Sequence, residues 1–212
     1  MGEHPDRAAR YDKKSAAAEL SYRARMRERL IGGLRGDILE LGAGTGLNFP
    51  HYSDRARVVA IEPDPHMRER ALMKLRLLAG PNITVEDGHA EHLPFADGSF
   101  DAVVATLVLC SVEDIEATLG EVMRVLKPEG ELRFMEHIRG TKLRGAIQDL
   151  VSPAWGHFGS GCRPNRRTPR ALRRAGFRVE LIDERRGRAV TAPIVSGIAR
   201  RSTAPETTPD QP

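Results

Sequence analysis

Short apolar runs alternate with amphipathic stretches along most of the chain. Seven runs have the length of a strand: 37–41, 58–62, 83–87, 100–105, 131–136, 177–182 and 192–199. Between them, apolar residues recur every three or four positions, as at Ile115, Leu119, Val122 and Leu126, which predicts helices. Strands that read as continuous apolar runs are typical of a mostly parallel sheet covered on both faces. The pattern predicts a single α/β domain.

Glycine and proline mark the ends of these elements. Residues 11–34 predict one helix that ends at Gly32 and Gly33. Thr168 and Pro169 predict the N-cap and first turn of a later helix, which Gly176 closes. We expect a flexible arm over residues 1–10, a domain over 11–201 and a disordered tail over 202–212, where three prolines and three threonines accompany one apolar residue.

Composition excludes several classes of protein. The chain has 212 residues, of which 40% are hydrophobic and 29% charged, as in an ordinary globular domain. It contains no apolar run near the roughly 20 residues of a spanning helix, and its first residues do not form a signal peptide. The two cysteines, Cys110 and Cys162, fit neither a disulfide framework nor a zinc site by their spacing. We therefore expect a reduced, cytoplasmic protein without a metal.

Positive charge is concentrated near the C-terminus. Residues 163–201 contain 12 arginines and three acidic residues. Such a segment attracts nucleic acid, anionic lipid or an acidic substrate, or it is simply a solvated helix face. Phe177 is the one aromatic residue among these arginines, which disfavours a platform for stacked bases. Contact with an anionic membrane surface and the oligomeric state both stay open.

A glycine cluster after the first strand indicates a ligand site. Gly42, Gly44 and Gly46 follow the run 37–41, and Glu62 ends the second strand 20 residues after Gly42. Glycine lets the backbone turn tightly and approach a ligand, and an acid at this spacing can bind two ribose hydroxyls. A dinucleotide fingerprint would need a third glycine where Leu47 stands, and a phosphate-binding P-loop would need a Lys-Ser or Lys-Thr pair that the loop lacks.

With the motifs at 88–95, 97–101 and 125–130, this loop resembles that of class I S-adenosylmethionine-dependent methyltransferases, over roughly residues 11–200. The resemblance implies a Rossmann-like, doubly wound, mostly parallel sheet of seven strands with helices on both faces. It also implies S-adenosylmethionine as cofactor. The implied cofactor-binding positions are Tyr11, Glu40, Gly42, Ala43, Gly44, Thr45, Gly46, Glu62, Pro63, His89, Ala90, Thr106 and Leu107. His89 stands where the family often has Asp, and its ring nitrogen can accept a hydrogen bond from the adenine amine.

A narrower resemblance concerns the acceptor. The segments 106–112, 136–137 and 153–168 resemble those of small-molecule thiol S-methyltransferases of the methyltransferase-like 7 type. Those proteins carry an N-terminal membrane anchor that this sequence does not show, so we do not expect their membrane location here. Wider relatives methylate quinone precursors and phospholipid amines. The competing hypotheses are N-methylation of a phospholipid headgroup, O- or C-methylation of a small aromatic or quinone-like acceptor, and a non-catalytic interaction module.

Methyl transfer from a sulfonium needs an aligned nucleophile more than an acid-base dyad. A thiol attacks as its thiolate, so a basic side chain near the acceptor suffices. His137 and His157 are the candidate catalytic residues, unless each merely satisfies local backbone groups. Trp155 and Cys162 lie in a segment, about 140–168, that is expected to cap the acceptor pocket. Cys162 could instead be a small buried hydrophobe, and Cys110 a packing residue.

Overall fold

The computed structural model of the protein describes residues 8–9, 11–13, 16, 19–78, 82–158, 161–185 and 193–202. Seven strands form one sheet: β1 (Gly36–Leu41), β2 (Ala56–Ile61), β3 (Asn82–Glu86), β4 (Phe100–Thr106), β5 (Leu126–His137), β6 (Phe177–Arg185) and β7 (Ile194–Arg201). Five α-helices accompany it: α1 (Ala24–Ile31), α2 (Pro65–Arg76), α3 (Ile115–Val125), α4 (Lys142–Phe158) and α5 (Thr168–Arg174). A π-helical turn (Glu19–Arg23) precedes α1, and a 3₁₀ turn (Phe49–His51) follows the glycine loop.

The strand order is β3-β2-β1-β4-β5-β7-β6. The strands β1 to β5 pair in parallel, whereas β7 runs antiparallel to both of its neighbours, β5 and β6. The order reverses between β1 and β4, which is where open α/β sheets form their ligand crevice, at the carboxyl ends of the strands. The predicted α/β class and seven-stranded, mostly parallel sheet are confirmed.

Both faces of the sheet are buried, as the continuous apolar runs predicted. On β4, Ala102 and Val104 contribute to a core with α1 and α2, whereas Val103 and Ala105 face a second core with α3 and α5. Successive residues of a strand point to opposite faces, so a strand that is apolar at every position can fill both cores.

Three elements differ from the prediction. Within the predicted helix 11–34, the described residues 11–13 and 16 are helical, Glu19–Arg23 form the π-helical turn, and α1 ends at Ile31. The strand β5 begins at Leu126, five residues before the predicted run. Thr168 is not an N-cap: it is the first residue of α5, and its buried hydroxyl has no hydrogen-bond partner among the described residues. Most of the predicted arm 1–10 and tail 202–212 lies outside the described residues.

Candidate active site

The glycine loop turns sharply at the carboxyl end of β1. Gly42, Gly44 and Gly46 all have positive φ, between 57° and 74°, where a side chain would be strained. A Cβ on Gly42 would approach Val108 Cγ2 to 2.7 Å, so this turn packs directly on the loop that follows β4. A Cβ on Gly44 would meet no heavy atom of the described residues within 4 Å. As far as the described residues reach, the backbone at Gly44 therefore borders open space, as a loop that cradles a ligand requires.

Glu62 fixes the shape of this loop. Its carboxylate accepts hydrogen bonds from the Gly44 N–H at 2.8 Å and from the Asp64 N–H at 3.0 Å. Asp64 in turn caps α2, because its side chain accepts from the backbone N–H groups of His66 and Met67. Glu62 is only 8% exposed, and Pro63 is half-buried between it and the cap. The predicted acid thus lies beside the glycine loop.

The N-terminal helical residues also contact the loop. The Thr45 hydroxyl donates to Asp12 Oδ1 at 2.6 Å, and Asp12 Oδ2 accepts from Arg70 at 3.1 Å. Asp12 therefore connects the segment 11–13 to the loop and to α2. Tyr11, the predicted contact, is half-buried next to Asp12.

A buried polar network lies beneath the loop. Arg27 donates to Asn48 and to Thr106, and Glu40 accepts from Asn48 Nδ2 and from the Tyr52 hydroxyl, each at 2.9 Å. Burial raises the pKa of Glu40 to about 7. The side chains of Glu40 and Thr106, both predicted cofactor positions, are bonded within this network. Arg27 was missed by the sequence analysis, since arginine within an arginine-rich helix gives no signal of burial.

The remaining predicted cofactor positions follow the ends of other strands. His89 is exposed just after β3, and Ala90 is buried beside it. Leu107 follows β4 with a φ of 62°, the one positive value among the described residues other than glycine. Its N–H donates to the Met135 carbonyl at 2.7 Å, which holds this strained turn at the crevice.

Glu136 organises the chain after β4. Its fully buried carboxylate accepts from three successive backbone N–H groups, those of Val108, Leu109 and Cys110, at 2.8 to 3.1 Å. Burial raises its pKa well above the ordinary value, and the three N–H groups oppose this rise. Arg166 donates to the carbonyls of Leu109 and Val112, at 2.6 and 2.5 Å, from the other side.

Two cysteines and a histidine meet next to this loop. Cys110 Sγ and Cys162 Sγ are 3.6 Å apart, and His137 Nδ1 lies 3.7 Å from Cys162 Sγ and 4.0 Å from Cys110 Sγ. Cys110 is buried, whereas His137 and Cys162 are partly exposed. The hydrogen bond with Cys162 and burial raise the pKa of Cys110 to about 12, and the same bond lowers the pKa of Cys162.

This cluster changes the interpretation of both cysteines. Their separation of 52 positions argued against a shared site, but the segment 161–168 returns to the end of the sheet, where the Arg163 N–H donates to the Cys110 carbonyl at 2.7 Å. Cys110 and Cys162 are therefore not merely separate packing residues, as the sequence alone favoured. His137 is the last residue of β5.

The other two predicted acceptor-side residues, Trp155 and His157, lie within α4. Their side chains are outside what the structure describes, so their predicted roles stay predictions. In the part of the chain that the structure describes, no helix is long and apolar enough to cross a membrane.

The fold and the site together define a Rossmann-like domain for a nucleoside ligand: a glycine loop after β1, an acid after β2, and open space beside Gly44. These residues fit S-adenosylmethionine, since a nucleoside without phosphates needs a carboxylate for its ribose and no Lys-Ser pair.

Comparisons with known proteins narrow this class. A family model described as methyltransferase domain matches residues 39–134. A SAM-dependent methyltransferase from Aquifex aeolicus has the same fold, with a TM-score of 0.65 over 92% of this chain and 98% of that one, at 20% identity. The chain therefore contains a methyltransferase domain whose fold is that of S-adenosylmethionine-dependent methyltransferases.

Two relatives have names that state their methyl acceptors. The chain is 40% identical to thiol S-methyltransferase TMT1B of Homo sapiens over 145 residues, which are 66% of this chain and 59% of that protein. It is 34% identical to phosphatidylethanolamine N-methyltransferase of Cereibacter sphaeroides over 108 residues, 50% of this chain and 53% of the relative. The chain thus spans less than two thirds of the length of either relative.

Proposed function

We propose that the protein transfers a methyl group from S-adenosylmethionine to the sulfur of a small thiol. The observation that carries this proposal is the 40% identity with human thiol S-methyltransferase TMT1B. The methyltransferase domain supports S-adenosylmethionine as the methyl donor, and the relative supports a thiol as the acceptor.

On the donor side, the loop Gly42–Gly46 and Glu62 would hold the cofactor. The loop offers backbone that borders open space at Gly44, and Glu62 is already fixed beside it by two backbone N–H groups. Tyr11, Pro63, His89 and Ala90 would complete the site, as the family resemblance implies. When bound, the cofactor supplies a methyl group that is attached to a sulfonium sulfur. The leaving group is then a neutral thioether, which needs no acid catalysis.

On the acceptor side, the cluster of Cys110, His137 and Cys162 lies close to the donor loop. Val108, two residues before Cys110, packs against Gly42. A thiol placed here can lose its proton to a basic group such as His137. Its sulfur can then attack the methyl carbon in line with the bond to the leaving sulfur. The S–CH₃ bond forms as the methyl bond to the sulfonium breaks. The electron pair of that bond stays on the leaving sulfur, and a thioether and S-adenosylhomocysteine result.

The direct test is S-adenosylhomocysteine release from purified protein with three acceptors of the same skeleton that differ only as thiol, alcohol or amine. We expect saturable turnover with the thiol alone. Turnover confined to the alcohol or the amine, or none with any thiol tried, would contradict a thiol acceptor.

A matched pair of variants connects turnover to the glycine loop. Gly44 and Gly98 both have φ near 60° and open space where a Cβ would stand, as far as the described residues reach, but Gly98 lies in the turn before β4, away from the crevice. Gly44→Arg and Gly98→Arg therefore carry the same backbone strain. We expect Gly44→Arg to abolish turnover and Gly98→Arg to retain it.

A second candidate is N-methylation of a phospholipid headgroup, favoured by the Cereibacter sphaeroides relative and by the arginine-rich segment 163–201. Vesicles that contain phosphatidylethanolamine and an anionic lipid test it. Incorporation of labelled methyl into lipid would support this candidate, and its absence together with failure to sediment with the vesicles at low salt would reject it.

A further inference from the structure

The cluster of Cys110, His137 and Cys162 has the ligand set of a metal site. Two sulfurs and one ring nitrogen lie within 4.8 Å of one another, and each residue contributes one potential ligand atom. Thiolate and imidazole are the ligands that Zn²⁺ prefers among proteins' side chains. The pattern brings together the only two cysteines in the sequence.

The distances also fit one ion held by all three atoms. A tetrahedral Zn²⁺ with Zn–S of about 2.3 Å and Zn–N of about 2.0 Å places two sulfurs about 3.8 Å apart and a sulfur and a nitrogen about 3.5 Å apart. The observed S–S distance is 3.6 Å, and the two S–N distances are 3.7 and 4.0 Å. An ion could bind without rearrangement of the backbone.

The three ligands are held by separate parts of the fold. The Cys110 N–H is bonded to Glu136, and the Cys110 carbonyl accepts from Arg163, the residue after Cys162. His137 ends β5, where it pairs with Ile194 of β7. These contacts position the three ligand atoms before an ion binds. Zinc binding therefore requires little further ordering of the side chains.

We infer that Cys110, His137 and Cys162 bind a Zn²⁺ ion whose fourth position is open to the acceptor thiol. Three protein ligands and one open position are the arrangement of catalytic rather than structural zinc sites. His137 and Cys162 are partly exposed, so a bound ion would be accessible to a further ligand. The inference rests on the proposed function for the identity of the fourth ligand, but not for the binding of zinc.

Zinc would explain how the thiol becomes reactive at neutral pH. A thiol that binds the ion gives up its proton to solvent and stays as a zinc-bound thiolate. Its sulfur lone pair then forms the bond to the methyl group, while the bonding pair of the sulfonium goes to the leaving sulfur. The thioether product is a weaker ligand and leaves. His137 is then a zinc ligand rather than the base.

Binding is tested on the reduced, purified chain with Zn²⁺ alone. We expect one tightly bound Zn²⁺ per chain by elemental analysis, and Co²⁺ in its place should give the thiolate charge-transfer absorption of a tetrahedral site. Because the chain has two cysteines, thiol titration is direct: Zn²⁺ should protect both thiols, and a chelator should expose both.

Variants locate the site. We expect Cys162→Ser and His137→Gln to weaken Zn²⁺ binding by at least about 100-fold, because even the outer partners of zinc ligands are worth 10- to 100-fold. The exposed His92, outside the cluster, provides the control His92→Gln, which should bind as the parent does. Cys162 and His137 are partly exposed, so these variants should fold even where a change at the buried Cys110 does not.

Three results would overturn the inference. The first is the absence of stoichiometric Zn²⁺ in the reduced chain, and the second is binding unaffected by Cys162→Ser and His137→Gln. The third is the formation of a disulfide between the two cysteines without any metal binding. A reductant, but not a chelator, would then restore both thiols, and the cysteines would be a redox pair. The proposed function fails separately: thiol turnover without zinc rejects only the zinc site, whereas zinc binding without thiol turnover rejects only the acceptor.

Discussion

At the scale of single residues, Glu40 is an acid that the fold keeps largely protonated at mildly acidic pH, where a free carboxyl group is ionised. Burial raises its pKa from 4.5 to about 7. Between these values the folded chain holds a proton that the unfolded chain has lost, so the free energy of unfolding falls as pH rises from 4.5 to 7. At 1.36 kcal/mol per pKa unit this amounts to about 3 kcal/mol.

Glu40→Gln should remove that pH dependence, because glutamine resembles the protonated acid and does not titrate. Urea unfolding at several pH values between 5 and 8 would measure it. The variant should gain stability relative to the parent as pH rises, whereas Glu129→Gln, at an exposed position of β5, should not. If the free energy of unfolding changed with pH in the same way in the parent and in Glu40→Gln, the raised pKa of Glu40 would be contradicted.

Glu62 is the residue on which the shape of the donor site depends. Glu62→Gln keeps one oxygen, but its amide would face the N–H of Gly44 or Asp64, where the carboxylate accepts from both. Loss of a charged acceptor costs about 1.5–3 kcal/mol, so S-adenosylhomocysteine should bind roughly 10- to 100-fold more weakly in calorimetry. Glu86→Gln, at the exposed end of β3, is the matched control and should bind as the parent does. Unchanged affinity in Glu62→Gln would remove Glu62 from the cofactor site.

Some of these residues were accessible to sequence reasoning and others were not. The spacing of Gly42, Gly44, Gly46 and Glu62 predicted their placement, because the carboxyl ends of the neighbouring parallel strands β1 and β2 lie side by side. Nothing local indicates that Arg27 is buried, or that Cys110 and Cys162 meet across 52 positions. Both facts depend on how distant segments pack.

At the scale of elements, the turn after β4 depends on β5. Glu136→Gln would keep an oxygen for Val108 and Leu109 but would point an N–H at the N–H of Cys110. The loss of that charged bond should lower the free energy of unfolding by about 1.5–3 kcal/mol. Faster amide hydrogen exchange at Cys110 would show that the turn itself has loosened.

The control lies on the same strand. Glu129 is exposed, and surface substitutions usually change stability by less than about 0.5 kcal/mol, so Glu129→Gln should change stability little. An equal loss in both variants would mean that Glu136 contributes no more than a surface acid.

The strands were predictable because apolar runs that fill two cores are a strong local signal, and all seven were found close to their observed positions. The helix boundaries were less predictable from the sequence. The π-helical turn at Glu19–Arg23 accompanies the bond between Glu19 and the buried Arg27, and the cap expected at Thr168 is displaced by one residue. The cytoplasmic location, the domain limits and the roles of Trp155 and His157 stay predictions.

At the scale of the whole molecule, the arginine-rich segment 163–201 is only partly a solvated surface. Arg166 holds two carbonyls of the chain after β4, Arg200 pairs with Glu131, and Arg201 donates to the carbonyls of Met123 and Leu126. These arginines attach the last third of the chain to the sheet. Others, including Arg167 and Arg174, line a groove of about 630 Å³ between α3 and α5.

This distribution predicts weak, nonspecific attraction of polyanions rather than a nucleic-acid site. Single-stranded RNA should bind at low salt, and its affinity should fall by about 300-fold or more between 50 and 200 mM salt if six or more phosphates are contacted. Fluorescence anisotropy would follow this, with Arg167→Glu/Arg174→Glu weakening binding and Glu129→Gln leaving it unchanged. RNA binding that persists above physiological salt would instead favour an interaction module, because base stacking and specific contacts, unlike charge alone, survive screening.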